Sequence, residues 1–218
     1  MLARDMDLVS LTRRLAKPYS FPEGGAGPKL PLGARALIGD GFTAALVAVD
    51  GAIDWLCLPR FDSPSVFARI LDQENGGSMA LRPVGAFESY QAYDSDTNVL
   101  ETLFVVPGKG AVRLIDSMPW SDDPRASIHE IHRRVDCVAG SVELELVFDP
   151  RFDYGRQVPV LSPSPHGILA EGKNGERLGA SVSRPLTWKL SPNGGARAVT
   201  PIAPGQQLWC VLSWGSRE

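Results

Sequence analysis

LIGDGFTAALVAVDGAIDWLCLPRFDSPSVFARILD, residues 37–72, decides the fold. Its run 43–49 is almost wholly apolar, too short for a typical helix, and bounded by Gly39-Asp40-Gly41 before it and Asp50-Gly51 after it, which predicts a strand buried on both faces. Asp50-Gly51 lies between two apolar runs and predicts a hairpin closed by a two-residue type I′ turn, whose two central residues both need φ > 0. The return strand, 52–58, sets Ile53, Trp55 and Cys57 on one side and Asp54, Leu56 and Leu58 on the other. Asp54 is thereby expected among apolar neighbours, where a carboxylate finds partners or shifts its pKa; backbone N–H groups or Arg60 are the expected partners. Pro59 ends the strand. Ser63 or Ser65, around Pro64, then predicts a two-turn helix reaching Leu71, with Asp62 as a further capping group and Asp40 held in the Gly-Asp-Gly turn.

Across the whole chain, 22 Gly and 18 Pro recur between short apolar runs, a spacing that favours an all-β sandwich or barrel over a helical fold. Strands are predicted at 78–82, 88–93, 99–106, 111–118, 127–138 and 141–148, then at 167–170, 178–183, 186–190, 196–200 and 207–214. In 141–148, Val142, Leu144, Leu146 and Phe148 alternate with Ser141, Glu143 and Glu145, the pattern of a half-buried antiparallel strand. So many strands exceed one flat sheet, and the expected fold is all-β: a large antiparallel β-sandwich of two packed sheets, with one short helix and an N-terminal extension. Residues 1–35 are expected as that extension, a short helical or frayed tail at 7–17 followed by a Pro/Gly-rich linker and partly disordered, and residues 36–218 as the sandwich.

The 218 residues carry 22 basic and 25 acidic side chains, intermixed, for a net charge of −3, so no strong field points to nucleic acid or to an anionic membrane. Arg13-Arg14 precedes no apolar stretch, and no apolar run reaches the roughly 18 residues of a membrane span, so a cytoplasmic chain is expected. Cys57, Cys137 and Cys210 are widely spaced within apolar runs and read as buried free thiols. His129 and His132 lack the i, i+4 helical spacing of a zinc site and in a strand point to opposite faces; His166, between proline and glycine, reads as a loop residue. Neither a metal nor a cofactor is expected.

Asp40, Asp54 and Asp62 cluster in sequence, and glycoside hydrolysis by inversion needs two carboxyl groups flanking the bond. Turn and cap duties account for them more simply, so no catalytic residue is expected. Sugar-binding surfaces pair flat aromatic rings with polar edges. Trp214 shares a strand face with Leu208, Cys210 and Leu212 and reads as core, whereas Trp120, in a loop with Asp122 and Asp123, and Trp209 are the exposed candidates. The loop Arg151-Phe152-Asp153-Tyr154-Gly155-Arg156 combines both charge signs with two aromatics, as a surface ion-pair cluster or an interface does.

The segment 38–72, together with RLIDSMPW at 113–120, IHRRVDCVAGSVELELVFDPRFDYGR at 131–156 and LWCVLSWG at 208–215, resembles in collinear order the trehalase-like N-terminal domain of glycoside hydrolase family 15 proteins, the glucoamylase and trehalase group. The chain has Gly33-Ala34-Arg35 where related domains usually carry an acidic pair. The resemblance implies an antiparallel β-sandwich that precedes a separate (α/α)6 barrel, whose glutamates supply the catalytic acid and base; that barrel is absent from these residues. It implies a non-catalytic accessory role, with the barrel as partner in cis or in trans and Asp40, Asp54, Trp55, Arg60 and Asp62 as candidate contacts to it or to the substrate entrance. A stand-alone carbohydrate-binding or regulatory module is the alternative, with Trp120, Arg151, Asp153, Tyr154, Arg156 and Trp209 as candidate contacts to an α-glucoside or a partner, a second copy of the chain included.

Overall fold

Alternating and continuous apolar runs of five to ten residues leave the backbone little choice but to pair as strands. The computed structural model describes residues 18–23, 30–123 and 127–216. In chain order its strands are β1 (Tyr19–Phe21), β2 (Arg35–Gly39), β3 (Ala44–Ala48), β4 (Ala52–Cys57), β5 (Ser65–Phe67), β6 (Ser78–Pro83), β7 (Phe87–Tyr93), β8 (Leu100–Val106) and β9 (Gly110–Ser117). They continue as β10 (Glu130–Gly140), β11 (Val142–Asp149), β12 (Val160–Ser164), β13 (Gly167–Glu171), β14 (Glu176–Val182), β15 (Lys189–Leu190), β16 (Ala196–Ile202) and β17 (Gln207–Ser216). A 9-stranded sheet runs β1-β7-β8-β9-β10-β17-β14-β13-β12, and the second runs β15-β16-β11-β6-β4-β3-β2 with β5 added on β4. Every pairing is antiparallel. The expected two-sheet sandwich is what the chain forms.

The core lies between the two sheets. β11 turns Val142, Leu144, Leu146 and Phe148 inward and Glu143 and Glu145 outward, as its alternation dictates. β10 does the same with Ile131, Val135 and Cys137, but the inward position between Ile131 and Val135 is Arg133. Both Arg133 and Asp116 are 0% exposed, and their side chains pair through two bonds of 2.7 and 3.0 Å. Arg133 also donates to the carbonyls of Gly51 at 2.8 Å and Met79 at 3.2 Å, so one guanidinium from the larger sheet is fastened to two carbonyls at the smaller one. A buried ion pair survives only when its hydrogen-bonding capacity is filled in this way. The three cysteines are buried free thiols, and burial pushes Cys210 up to about 12, which makes it inert.

The decisive hairpin differs from expectation in its turn. Residues 49–51 connect β3 to β4, Gly51 N–H donates to Ala48 C=O at 2.9 Å, and only Gly51 of the Asp50-Gly51 pair has positive φ, +77°. This is a three-residue connection ending in a left-handed glycine, not the type I′ turn. A Cβ on Gly51 would sit 2.6 Å from the Leu81 carbonyl oxygen, so the close approach to β6 requires glycine. Further along, Leu46 pairs with Trp55 and Val47 with Ile53, which leaves Asp54 as the extra residue of a bulge.

Three further expectations are corrected. The two-turn helix ending at Leu71 is absent: Ser65–Phe67 is β5, paired with β4, and the residues after it form turns. Pairing to an unsatisfied strand edge outweighs a short helix with few internal bonds. The only helical segment among the described residues is a single 3-10 turn at Leu32–Ala34. Within the expected linker, Tyr19–Phe21 forms β1 against β7, and Phe21, stacked on Phe87 at 4.9 Å, is part of the core; the expected tail at 7–17 lies outside the described residues. Of the strand expected at 186–190, only Lys189–Leu190 pairs. No helix of the described residues is long and apolar enough to cross a membrane.

Candidate functional site

The two sheets present their turns at opposite ends, and the ends are unlike. At one end the connections are short: 49–51, 84–86, 107–109, 203–206. At the other, the β2–β3 turn at 40–43, the β4–β5 loop at 58–64 and the β9–β10 connection at 118–129 come together.

Asp40 is the post around which this open end is built. It is 2% exposed; its Oδ1 accepts the N–H groups of Phe42 and Thr43, each at 2.9 Å, as an aspartate in a Gly-Asp-Gly turn does. Its Oδ2 accepts the hydroxyl of Ser127 at 2.9 Å, tying the first loop to the third. Thr43 donates its hydroxyl to the Cys57 carbonyl, and Phe61 N–H donates to the Phe42 carbonyl at 3.0 Å, tying the first loop to the second. Between the loops lies an open hollow of about 560 Å³, lined by Gly41, Phe42, Arg60, Phe61 and Asp62 on one side and by Ser127 and His129 on the other. Trp120 stands at its edge, with its indole nitrogen 3.7 Å from where a Cβ on Gly41 would be. A smaller hollow, about 380 Å³, opens on the far side of Pro59 and is floored by Phe152 and Trp214.

The expected site residues separate into groups. Arg60 and Asp62 are both exposed and pair with each other at 3.0 and 3.3 Å, so Arg60 is not the partner of Asp54. Asp54 is 0% exposed and takes Arg35 at 2.8 Å and Arg69 at 3.6 Å. Burial pushes its pKa above 3.8, with the Arg69 and Arg35 guanidiniums pulling the other way. From there a string of alternating charges runs over the outer face of the smaller sheet: Arg69 to Asp50 at 3.1 Å, Asp50 to Arg82 at 2.9 Å, Arg82 to Glu145 at 2.7 Å and Glu145 to Arg197 at 2.8 Å. Asp40, Asp54 and Asp62 thus have three separate sets of partners and do not form a facing carboxylate pair. Asp62 caps no helix.

Arg151 is not a surface residue of its loop. It is 6% exposed, pairs with Asp149 and donates to the Asn193 carbonyl at 2.7 Å, fastening the loop to the turn before β16. Asp153 and Arg156 are paired at 3.3 Å on the surface, and Arg156 lies over the ring of Tyr154, 5.9 Å from its centroid. Tyr154 in turn meets Trp55 at 6.4 Å, so this loop and the β4 strand share one aromatic contact. Trp209 points outward from the nine-stranded sheet with Arg134 stacked over it at 5.4 Å, away from Trp120. Trp214 is half-buried and meets Phe152 edge-on at 5.9 Å, as core packing expects.

His129 and Ser127 were not legible as site residues. His129 precedes β10 with φ +49°, and its Nδ1 lies 2.9 Å from Ser127 Oγ, while His132 pairs with Glu130 at 2.8 Å. Among the described residues, no group of three or more His, Cys, Asp or Glu is placed to hold a metal ion.

A family model described as "Trehalase-like, N-terminal" matches residues 26–213. The trehalase of Thermoplasma volcanium is 40% identical over 183 residues, which are 83% of this chain and 29% of that protein. The trehalase of Thermoplasma acidophilum is 34% identical over 173 residues, 78% of this chain and 29% of that protein. The trehalase of Mycolicibacterium smegmatis is 30% identical over 227 residues, 94% of this chain and 33% of that protein. The chain therefore spans about a third or less of the length of these relatives.

Proposed function

Since the chain belongs to the trehalase-like N-terminal family, we propose that it is the non-catalytic accessory β-sandwich of a glycoside hydrolase family 15 type α-glucosidase, trehalase or glucoamylase-like, working in the cytoplasm. Its open end packs on an (α/α)6 barrel, in cis or in trans, and shapes the entrance for substrate. The barrel carries the chemistry: water attacks the anomeric carbon, the glycosidic C–O bond breaks, the general acid gives its proton to the leaving oxygen and the general base takes one from water.

The observation that carries this reading is the match over 26–213 to the trehalase-like N-terminal family, together with alignments that cover only 29% of each of the two Thermoplasma trehalases. The composition of the open end supports it. Phe61 is 61% exposed, Trp120 70% and Ile128 53%, beside the Arg60–Asp62 pair, a mix of exposed aromatics and balanced charge typical of an interface. A stand-alone sugar-binding module is the second reading, favoured by Trp120 standing exposed beside a hollow of ligand size.

Native protein captured from the source organism with an antibody to this chain tests the choice. A polypeptide or complex much larger than 23.5 kDa that releases glucose from trehalose or maltose is expected, with no release by the isolated chain. A native species of 23.5 kDa without a hydrolytic partner contradicts the accessory reading. Glucose release by the isolated chain that vanishes in Asp54→Asn would make the chain itself the hydrolase.

A further inference from the structure

We propose that the hollow at the open end is a subsite for a neutral glucose disaccharide, in which His129 accepts a sugar hydroxyl at Nε2 while Asp40, acting through Ser127, fixes the ring. The proposal deepens the accessory reading, since it rests on this end being turned toward substrate.

The hydrogen-bond order fixes the imidazole. A carboxylate can only accept, so Ser127, 2.9 Å from Asp40 Oδ2, gives its proton there. With its proton given away, the Ser127 oxygen can only accept: it takes the His129 backbone N–H at 3.4 Å and faces His129 Nδ1 at 2.9 Å, so Nδ1 carries the N–H in the neutral ring. Nε2 is left as an acceptor, and His129 lines the hollow with no partner for Nε2 among the described residues. The sequence Asp–Ser–His also rules out a hydrolytic triad, in which the imidazole stands between carboxylate and hydroxyl. Here the hydroxyl stands in the middle with both neighbours engaged.

The backbone supports the placement. His129 is held in the left-handed region at φ +49°, with its carbonyl accepting Trp214 N–H at 3.1 Å, and such a conformation persists only where the surroundings over-determine it. The walls select the ligand. The charge of Arg60 is neutralised by Asp62 at 3.0 Å, so the hollow offers planar donors and acceptors side by side without net attraction for an anion or a cation. That suits vicinal hydroxyls. Phe61 and Trp120 add exposed rings at the rim for the apolar face of a pyranose. A volume of about 560 Å³ lies within the roughly 300–1,000 Å³ of small-molecule sites.

Titration of the 218-residue chain with α,α-trehalose and with maltose, followed by NMR at the His129 ring and the Trp120 indole N–H, tests this. Saturable shifts at both residues are expected in the millimolar range. His129→Ala should weaken binding about tenfold, the loss of one hydrogen bond; His129→Gln, which keeps a hydrogen-bonding atom at the same reach, should recover most of it. Trp209→Ala, on the outer sheet face, should change nothing. Absence of saturable shifts in the wild-type chain, or equal affinity for the Ala and Gln variants, overturns the subsite. Sugar binding by a chain whose native form stands alone keeps the subsite and removes the accessory reading; a large native hydrolase whose isolated sandwich binds no sugar does the reverse.

Discussion

The two ends of the sandwich are built from the same strands and solve opposite problems. At the closed end the connections 49–51, 84–86, 107–109 and 203–206 take only three or four residues each. At the open end the connections 58–64 and 118–129 are longer than turning requires; together with the four-residue turn 40–43 they are locked to one another through Asp40 and Phe61 N–H, and they hold Phe61 and Trp120 out to solvent. Spending buried hydrogen bonds to rigidify a loop cluster whose outward side chains contribute little to the fold is the pattern of a surface made for a partner. Between the ends, Arg133, paired with Asp116 within the larger sheet, joins the two sheets through the Gly51 and Met79 carbonyls and belongs to neither end.

Substitutions break or sharpen that contrast, and the core pair should give the largest effect. Arg133→Met leaves Asp116 buried without its partner and should cost about 3–5 kcal/mol in urea unfolding, with Asp116→Leu added on top recovering much of the loss. At the closed end, Gly140→Val should cost about 3 kcal/mol: φ is +65° and a Cβ would lie 2.0 Å from the Lys109 carbonyl oxygen. At the open end, Asp40→Ala removes acceptors from two backbone N–H groups and one hydroxyl and should cost about 1–3 kcal/mol, with the loop 40–43 losing amide-exchange protection first. Phe61→Ala and Trp120→Ala should stay within about 0.5 kcal/mol of the parent in the same assay while weakening association with the proposed catalytic partner. If either truncation destabilises the isolated chain as Gly140→Val does, the ends are not different in kind.

A pH series adds the smallest test. Burial raises the pKa of Asp54 in the folded chain, so the folded state holds its proton more tightly than the unfolded one. The contribution of Asp54 to stability should therefore decline as pH rises from the unfolded carboxylate value of 3.8 through the raised folded value, and level off above it. Comparison with Asp54→Asn across that range isolates the contribution; a stability difference that moves the opposite way would mean that Arg35 and Arg69 outweigh burial.

Legibility in sequence follows the same division. β11 could be read because period-two alternation is a local property, and the hairpin at Asp50-Gly51 because two apolar runs flank a turn pair. The turn type was missed because the approach of Gly51 to Leu81 is set by β6, not by neighbours in the chain. Ser63-Pro64-Ser65 carries helix-start chemistry, yet the edge of β4 was available and Ser65–Phe67 paired with it. Arg133 sits in an apolar phase where nothing nearby announces Asp116. The partners of Asp54 come from Arg35 and Arg69, on either side of the hairpin, and the link from Asp40 to Ser127 spans 87 positions. Asp40 was visible as a turn residue; that it also anchors Ser127 and His129 is a property of the folded end alone.

Hydrogen–deuterium exchange on the native protein from the source organism, set against the isolated 218-residue chain, tests the contrast most directly. Added protection at 40–43, 58–64 and 118–123 in the native form, with 107–109 and 203–206 unchanged, is the expected result. Equal exchange in both forms, or protection confined to the closed end, would contradict the proposal that the open end is the face that meets a catalytic partner.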